Sequence, residues 1–186
     1  MTDTTAPEIP GYKTGTWVLD PSHSEVSFSV RHMMISKVRG AFGLKSATIV
    51  APENPLEAKV TASVDVASVD TKDEGRDTHL RSADFFDVEQ YPTLDFVSTG
   101  VRVDGGDFLV DGDLTIRGIT KPATFELEFG GFGTDPWGNY KAGATAKTVV
   151  NREDYGLTWN AALETGGVLV GKDVTITLDL QGSLQA

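Results

Sequence analysis

The chain contains no cysteine. That excludes a disulfide framework, a thiolate nucleophile, an iron–sulfur cluster and any zinc site built on sulfur, and it leaves the redox compartment unread. Histidine is scarce: His23, His32 and His79 are the only three, and none stands at an H-x-x-x-H or H-E-x-x-H spacing, so no metal site is expected. Positive charge is in deficit, with 16 basic residues against 27 acidic ones and a formal charge of −11. The basic residues form no run in the sequence, so nucleic acid is not an expected partner. No apolar stretch approaches the roughly 18 residues of a membrane helix, and no integral membrane segment is expected. The opening "MTDTTAPEIPGYKTG" lacks the basic and apolar regions of a secretory signal, which points to a cytoplasmic protein. There is no Walker loop, no dinucleotide fingerprint and no G-x-S-x-G elbow; "GGFGTDPWG" reads as a turn.

What the chain does have is period-two alternation of apolar and polar residues, the pattern of strands with one buried face. "EVSFSVRH" places Val26, Phe28 and Val30 in phase with His32, and "EAKVTASVDV" does the same with Ala58, Val60, Ala62, Val64 and Val66. "FLVDGDLTIRG" aligns Phe108, Val110, Gly112, Leu114, Ile116 and Gly118, and "KPATFELEFG" aligns Ala123, Phe125, Leu127 and Phe129. Further strands are expected in "GAFGLKSATIV", "TLDFVSTGVRV", "NYKAGATAKTV" and "DVTITLDL", with hairpin turns at "VDGGD" and "GTDPWGN". About eight antiparallel strands in 186 residues describe one all-β domain, a barrel or a sandwich, over residues 13–186 behind a flexible tail at 1–12. Small residues in the buried phase, Ala58, Ala62, Gly112, Gly118, Ala142, Ala144 and Ala146, either leave space inside or let the strands coil around bulky neighbours.

One run breaks the alternation. "GRDTHLRSADFFDVEQYP" has helical spacing from about residue 71 to about 87, with Thr71 or Asp73 as cap and Arg76, His79 and Leu80 on one face. Such an insert suits the cover of one barrel end. Arg76 is then either a clamp on the barrel or, with His79, a contact for the polar head of a ligand, with Phe85 and Phe86 at the entrance. Ser24, His79 and Asp77 supply a hydrolase triad on paper only. Tyr155 and Trp159 in "VNREDYGLTWNAALETGG" suit a core cap or a ligand rim.

The motifs "TWVLDPSHSEVSFSVRHMMISKVRGAF", "RDTHLRSADFFDVEQYPTLDFVST", "DGDLTIRGITKPATFELE" and "NREDYGLTWN" occur in an order and spacing that resemble the YceI family of polyisoprenoid-binding proteins, over about residues 15 to 182. The resemblance implies an extended, lipocalin-like, eight-stranded antiparallel barrel with a short helical insert over one end. It also implies an apolar cavity holding an isoprenoid or isoprenoid quinone-like amphiphile, for transport or storage, with no catalytic residues and no cofactor beyond the lipid. Many relatives of this kind are periplasmic, whereas this chain shows no signal. The family's R-D-x-H-L motif falls on Arg76, Asp77, His79 and Leu80. The residues expected to line the cavity are Phe28, Val30, Val64, Leu114, Ile116, Phe125 and Leu127, joined near one end by Phe85, Phe86 and Trp159. His32, Arg76, Asp77 and His79 are expected at the polar head or as the clamp of the insert. A homodimer is compatible with this reading. The alternatives are an enzyme acting on a small apolar substrate at the barrel mouth and a filled, ligand-free interaction module.

Overall fold

Each alternating segment buries one face, and faces of this kind are satisfied when the sheet curls until its first and last strands pair. The computed structural model, described over residues 6–161, 163 and 169–185, shows that closure. The strands are β1 (Gly15–Leu19), β2 (Glu25–His32), β3 (Ser36–Ala51), β4 (Lys59–Asp70), β5 (Thr93–Asp104), β6 (Asp107–Ile116), β7 (Ile119–Thr134), β8 (Tyr140–Asn151) and β9 (Val170–Leu184). From β2 to β9 each strand pairs antiparallel with the next, and β9 returns to β2 with Phe28 opposite Ile176. β1 lies between the far ends of β3 and β9, with Trp17 opposite both Ile49 and Leu184. It continues the line of β2, so nine strands make an eight-stranded closed barrel. No helix among the described residues is long and apolar enough to cross a membrane.

Tight turns keep neighbours in register. Gly105 and Gly106 join β5 to β6 with φ of 60° and 92°, and Arg117 and Gly118 join β6 to β7 with φ of 51° and 72°. Positive φ at both central residues matches the right-handed twist of the flanking strands. Gly118, expected to point inward, is therefore a turn residue.

The helical insert is shorter than expected. α1 runs from Glu74 to Arg81, capped by Asp73, whose carboxylate accepts from the Arg76 amide at 2.9 Å. Ser82 ends it by turning both its amide and its hydroxyl onto the His79 carbonyl, and Asp87, at φ 50°, carries the chain away from the helical path. Phe85 and Phe86 thus lie in a turn. The tail is shorter too: the Tyr12 hydroxyl donates to the Pro52 carbonyl, Tyr140 donates to Gly11, and Ile9 packs at the barrel end. The end of the barrel offers aromatic surface that Ile9 and Tyr12 cover.

The barrel is not hollow throughout. At mid-height Val26, Leu44, Ala47, Val64, Phe96, Leu114, Phe125 and Ala146 meet as a fully buried layer. Phe96 and Phe125 pack edge to face with centroids 5.1 Å apart, the arrangement their ring quadrupoles favour. Gly112 belongs to this layer for a steric reason: a Cβ there would run into the Phe96 ring and the Val97 carbonyl. Its missing side chain makes room for a phenylalanine, not for a ligand.

Candidate functional site

The septum leaves a cavity on either side, and the two share no wall residue. The larger, about 400 Å³, lies at the helical end. Phe28 and Val30 of β2, Phe42 of β3, Leu94 of β5, Ile116 of β6, Val150 of β8 and Val174 and Ile176 of β9 form its walls. α1 and the turn after it supply the roof through Leu80, Phe85 and Phe86, and Leu157 and Trp159 close the side. The smaller cavity, about 120 Å³, lies at the opposite end among Trp17, Leu127, Phe129, Phe132, Ala142 and Ala144.

The residues expected to line one cavity are thus divided among three places. Phe28, Val30, Ile116, Phe85, Phe86 and Trp159 face the larger cavity. Leu127 faces the smaller one. Val64, Leu114 and Phe125 line neither; they are the septum, and Leu114 is only 1% exposed. Alternation tells which face of a strand is inward but not at which height the interior is filled.

Among the described residues, every ionisable side chain in the wall of the larger cavity is basic in type: Arg31, His32, Arg76, His79 and Arg152. Arg76 donates from Nε to Thr71 Oγ1 and from Nη2 to the Thr71 carbonyl, both at 2.7 Å. Asp77 turns away from the cavity, buried, and accepts from the Thr71 amide at 2.9 Å and from the Thr71 hydroxyl. Together they fasten the start of α1 to the end of β4. His79 lies 2.9 Å from an Asp84 carboxylate oxygen, and its ring packs edge to face on Phe85 and Trp159 with centroids 5.0 and 4.8 Å away. Ser24, by contrast, exchanges hydrogen bonds with Gln181 on β9. Ser24, His79 and Asp77 each have a different partner and form no relay. Among the described residues no group of three or more His, Asp or Glu is placed to hold a metal.

Arg152 escaped the sequence reading. It is 4% exposed and forms no ion pair with a carboxylate among the described residues. Its guanidinium donates instead to the carbonyls of Gly171, Leu157, Trp159 and Val170 at 2.7, 2.6, 3.0 and 3.3 Å. Burial pushes its pKa below the usual arginine value. The side chain pins the chain from Leu157 to Trp159 against the start of β9, and with it the Trp159 ring at the cavity. Nothing in "NREDYG" distinguishes such an arginine from a solvated one.

A family model described as the YceI-like domain matches residues 17–182. The chain belongs to the YceI-like family. Among its relatives is a UPF0312 protein of Staphylococcus aureus strain MSSA476, 38% identical over 170 residues that make up 90% of this chain and 97% of the relative. Among solved structures, BcnA of Burkholderia cenocepacia superposes with a TM-score of 0.75 at 23% identity, over 88% of this chain and 98% of BcnA. A polyisoprenoid binding domain from Saccharophagus degradans gives a TM-score of 0.68 at 17% identity, over 91% of this chain and 98% of that domain. These structural likenesses establish the fold of this YceI-like chain, an all-β eight-stranded closed barrel with one short helix.

Proposed function

We propose that this YceI-like protein binds one amphiphile with an isoprenoid tail, the tail in the larger cavity and the head group at its basic mouth. The observation that carries the reading is the wall composition: a cavity of about 400 Å³, apolar in depth, whose ionisable side chains among the described residues are Arg31, His32, Arg76, His79 and Arg152. A mouth whose described lining supplies donors and cations but no carboxylate of its own, Asp84 lying behind His79, suits an acceptor-rich head, such as a quinone ring or the anionic head of an isoprenoid precursor. The fold shared with a polyisoprenoid binding domain supports the choice of tail. Each buried CH₂ contributes about 0.8 kcal/mol, so one five-carbon unit supplies up to roughly 4 kcal/mol before ordering costs are met. A few units hold the ligand through purification, as a carrier or store requires, and the proposal includes no chemical step.

The test is solvent extraction of protein purified without detergent, with mass spectrometry of the extract against a mock purification. One isoprenoid per chain is the expected result. An extract that stays empty after the protein has been incubated with isoprenoid quinones overturns the proposal.

A further inference from the structure

The β2–β3 hairpin ends beside the mouth of the larger cavity, whose wall includes Val30, Arg31, His32 and Val38. Its tip is Met33, Met34 and Ile35, exposed by 43%, 56% and 79%. Solvent-facing turns ordinarily carry Asn, Asp or Gly, above all where φ is positive. Here Met33 and Met34 hold φ of 53° and 63°, a conformation that long apolar side chains rarely adopt. An apolar tip has thus been kept at a position where the backbone favours a polar residue or glycine.

The charge around the tip is equally unusual. Between Glu25 and Glu53 the chain has four cations, Arg31, Lys37, Arg39 and Lys45, and no carboxylate, although its net charge is −11. Strand pairing gathers three of them, which are scattered in sequence. Arg31, at the rim of the cavity, stands directly opposite Lys37, and Arg39 stands opposite Ser29 two pairs further from the tip, in the same phase of the strands. Like charges directly opposite are unfavourable in a sheet, and none of the three enters an ion pair among the described residues. Exposed apolar side chains behind a collar of unpaired cations match the surface of an anionic bilayer, with acyl chains for the first and phosphate for the second. Distant carboxylates are screened beyond roughly 8 Å at physiological salt, so the local charge decides.

We infer that the Met33–Ile35 tip, with Arg31, Lys37 and Arg39, docks the protein on an anionic lipid bilayer and so presents the mouth of the larger cavity to the membrane. The inference rests on the proposal that the cavity holds a membrane-derived amphiphile, but the two are tested separately. Docking is read with vesicles that contain no isoprenoid, and cargo by extraction.

The experiment is co-sedimentation of the full chain with vesicles of phosphatidylglycerol and phosphatidylcholine in equal parts, and with phosphatidylcholine alone. The wild type is expected to bind the mixed vesicles and to lose binding as salt is raised. Met34→Asp with Ile35→Asp, and Arg31→Gln with Lys37→Gln, are each expected to weaken binding by about tenfold or more. Aspartate tolerates positive φ better than methionine, so the first pair of changes relaxes the turn, and unchanged circular dichroism separates lost docking from lost fold. Trp137→Ala serves as control, since Trp137 is 83% exposed but sits on the β7–β8 turn at the opposite end of the barrel. Three results overturn the inference: no binding to mixed vesicles, equal binding to both vesicle types, or loss of binding in the Trp137 variant. Sedimentation showing that the tip instead joins two copies of the chain, with Met34→Asp abolishing the dimer, overturns it as well.

Discussion

Phe125→Ala tests whether the septum sets the length of the ligand. The Phe125 side chain is buried and packs edge to face on Phe96 with ring centroids 5.1 Å apart, between a cavity of about 400 Å³ and one of about 120 Å³. Truncation removes buried surface and leaves a void, at a cost of about 3–5 kcal/mol. A domain of this size holds about 5–15 kcal/mol of stability and loses about 2–3 kcal/mol per molar urea. The unfolding midpoint is thus expected to fall by about 1–2 M while the protein stays folded in buffer; tryptophan fluorescence reports it. In the wild type, affinity for isoprenoid alcohols of increasing length should rise steeply with each five-carbon unit and level off once the tail reaches the septum. Opening the septum should move that plateau outward by at least one unit, which is worth up to about 4 kcal/mol of burial. A variant with the lowered midpoint and an unchanged plateau would show that the septum does not stop the chain. An unchanged midpoint would refute the packing account itself.

Arg76→Ala removes two donors from Thr71; it should cost about 1.5–3 kcal/mol and speed amide hydrogen exchange across Glu74–Arg81. Arg152→Met keeps apolar volume but leaves the carbonyls of Leu157, Trp159, Val170 and Gly171 without their donor, at about 1–3 kcal/mol for each that finds no water. Thermal unfolding should show it as the most damaging single change at the mouth. The Asp20 carboxyl, bonded to His23, to the Ser22 hydroxyl and to the Ser22 amide, is held down to about 2. A carboxyl depressed on folding stabilises the fold above its unfolded value of about 4 and loses that contribution as pH falls toward 2. An NMR titration of Asp20 with a midpoint near 4 would contradict the geometry.

Strands were legible because alternation is written residue by residue, but eight one-sided faces can be covered in a barrel or in a sandwich, and only the resemblance to the YceI family pointed to the closed barrel. The helix was legible in its cap and its Arg76–Leu80 spacing, but its end was not, since Ser82 competes with the helix only through hydrogen bonds to His79 that spacing cannot reveal. Of the site, the aromatic residues of the insert and Phe28, Val30 and Ile116 could be read from phase. Val64, Leu114 and Phe125 share that phase and still belong to the septum, because height along the barrel is set by stagger between strands. Arg152 left no trace in the sequence, its partners being backbone carbonyls.

Small side chains were the wrong guide to where the space lies. Ala142 and Ala144 border the cavity of about 120 Å³, whereas the one of about 400 Å³ is ringed by Phe28, Phe42, Phe85, Phe86 and Trp159. The reason is a gap in the wall. β4 and β5 pair only from Thr61↔Val97 to Asp65↔Thr93, and residues 66–69 of β4 run on without a partner in either neighbouring ladder. The segment between β4 and β5 repairs the opening with different parts. The Val66 amide donates to Pro92, and Arg81 donates to the carbonyls of Ala67 and Val69 at 3.0 and 3.1 Å. Phe86 leans edge to face on Phe42 with centroids 5.5 Å apart, where an inward strand residue would otherwise stand. A strand would have brought its side chains close to the opposite wall; a helix set outside the line of the sheet holds its side chains further back. The volume of the larger cavity is the difference, and the interruption of the β pattern between Thr71 and Pro92 is what makes room for a ligand.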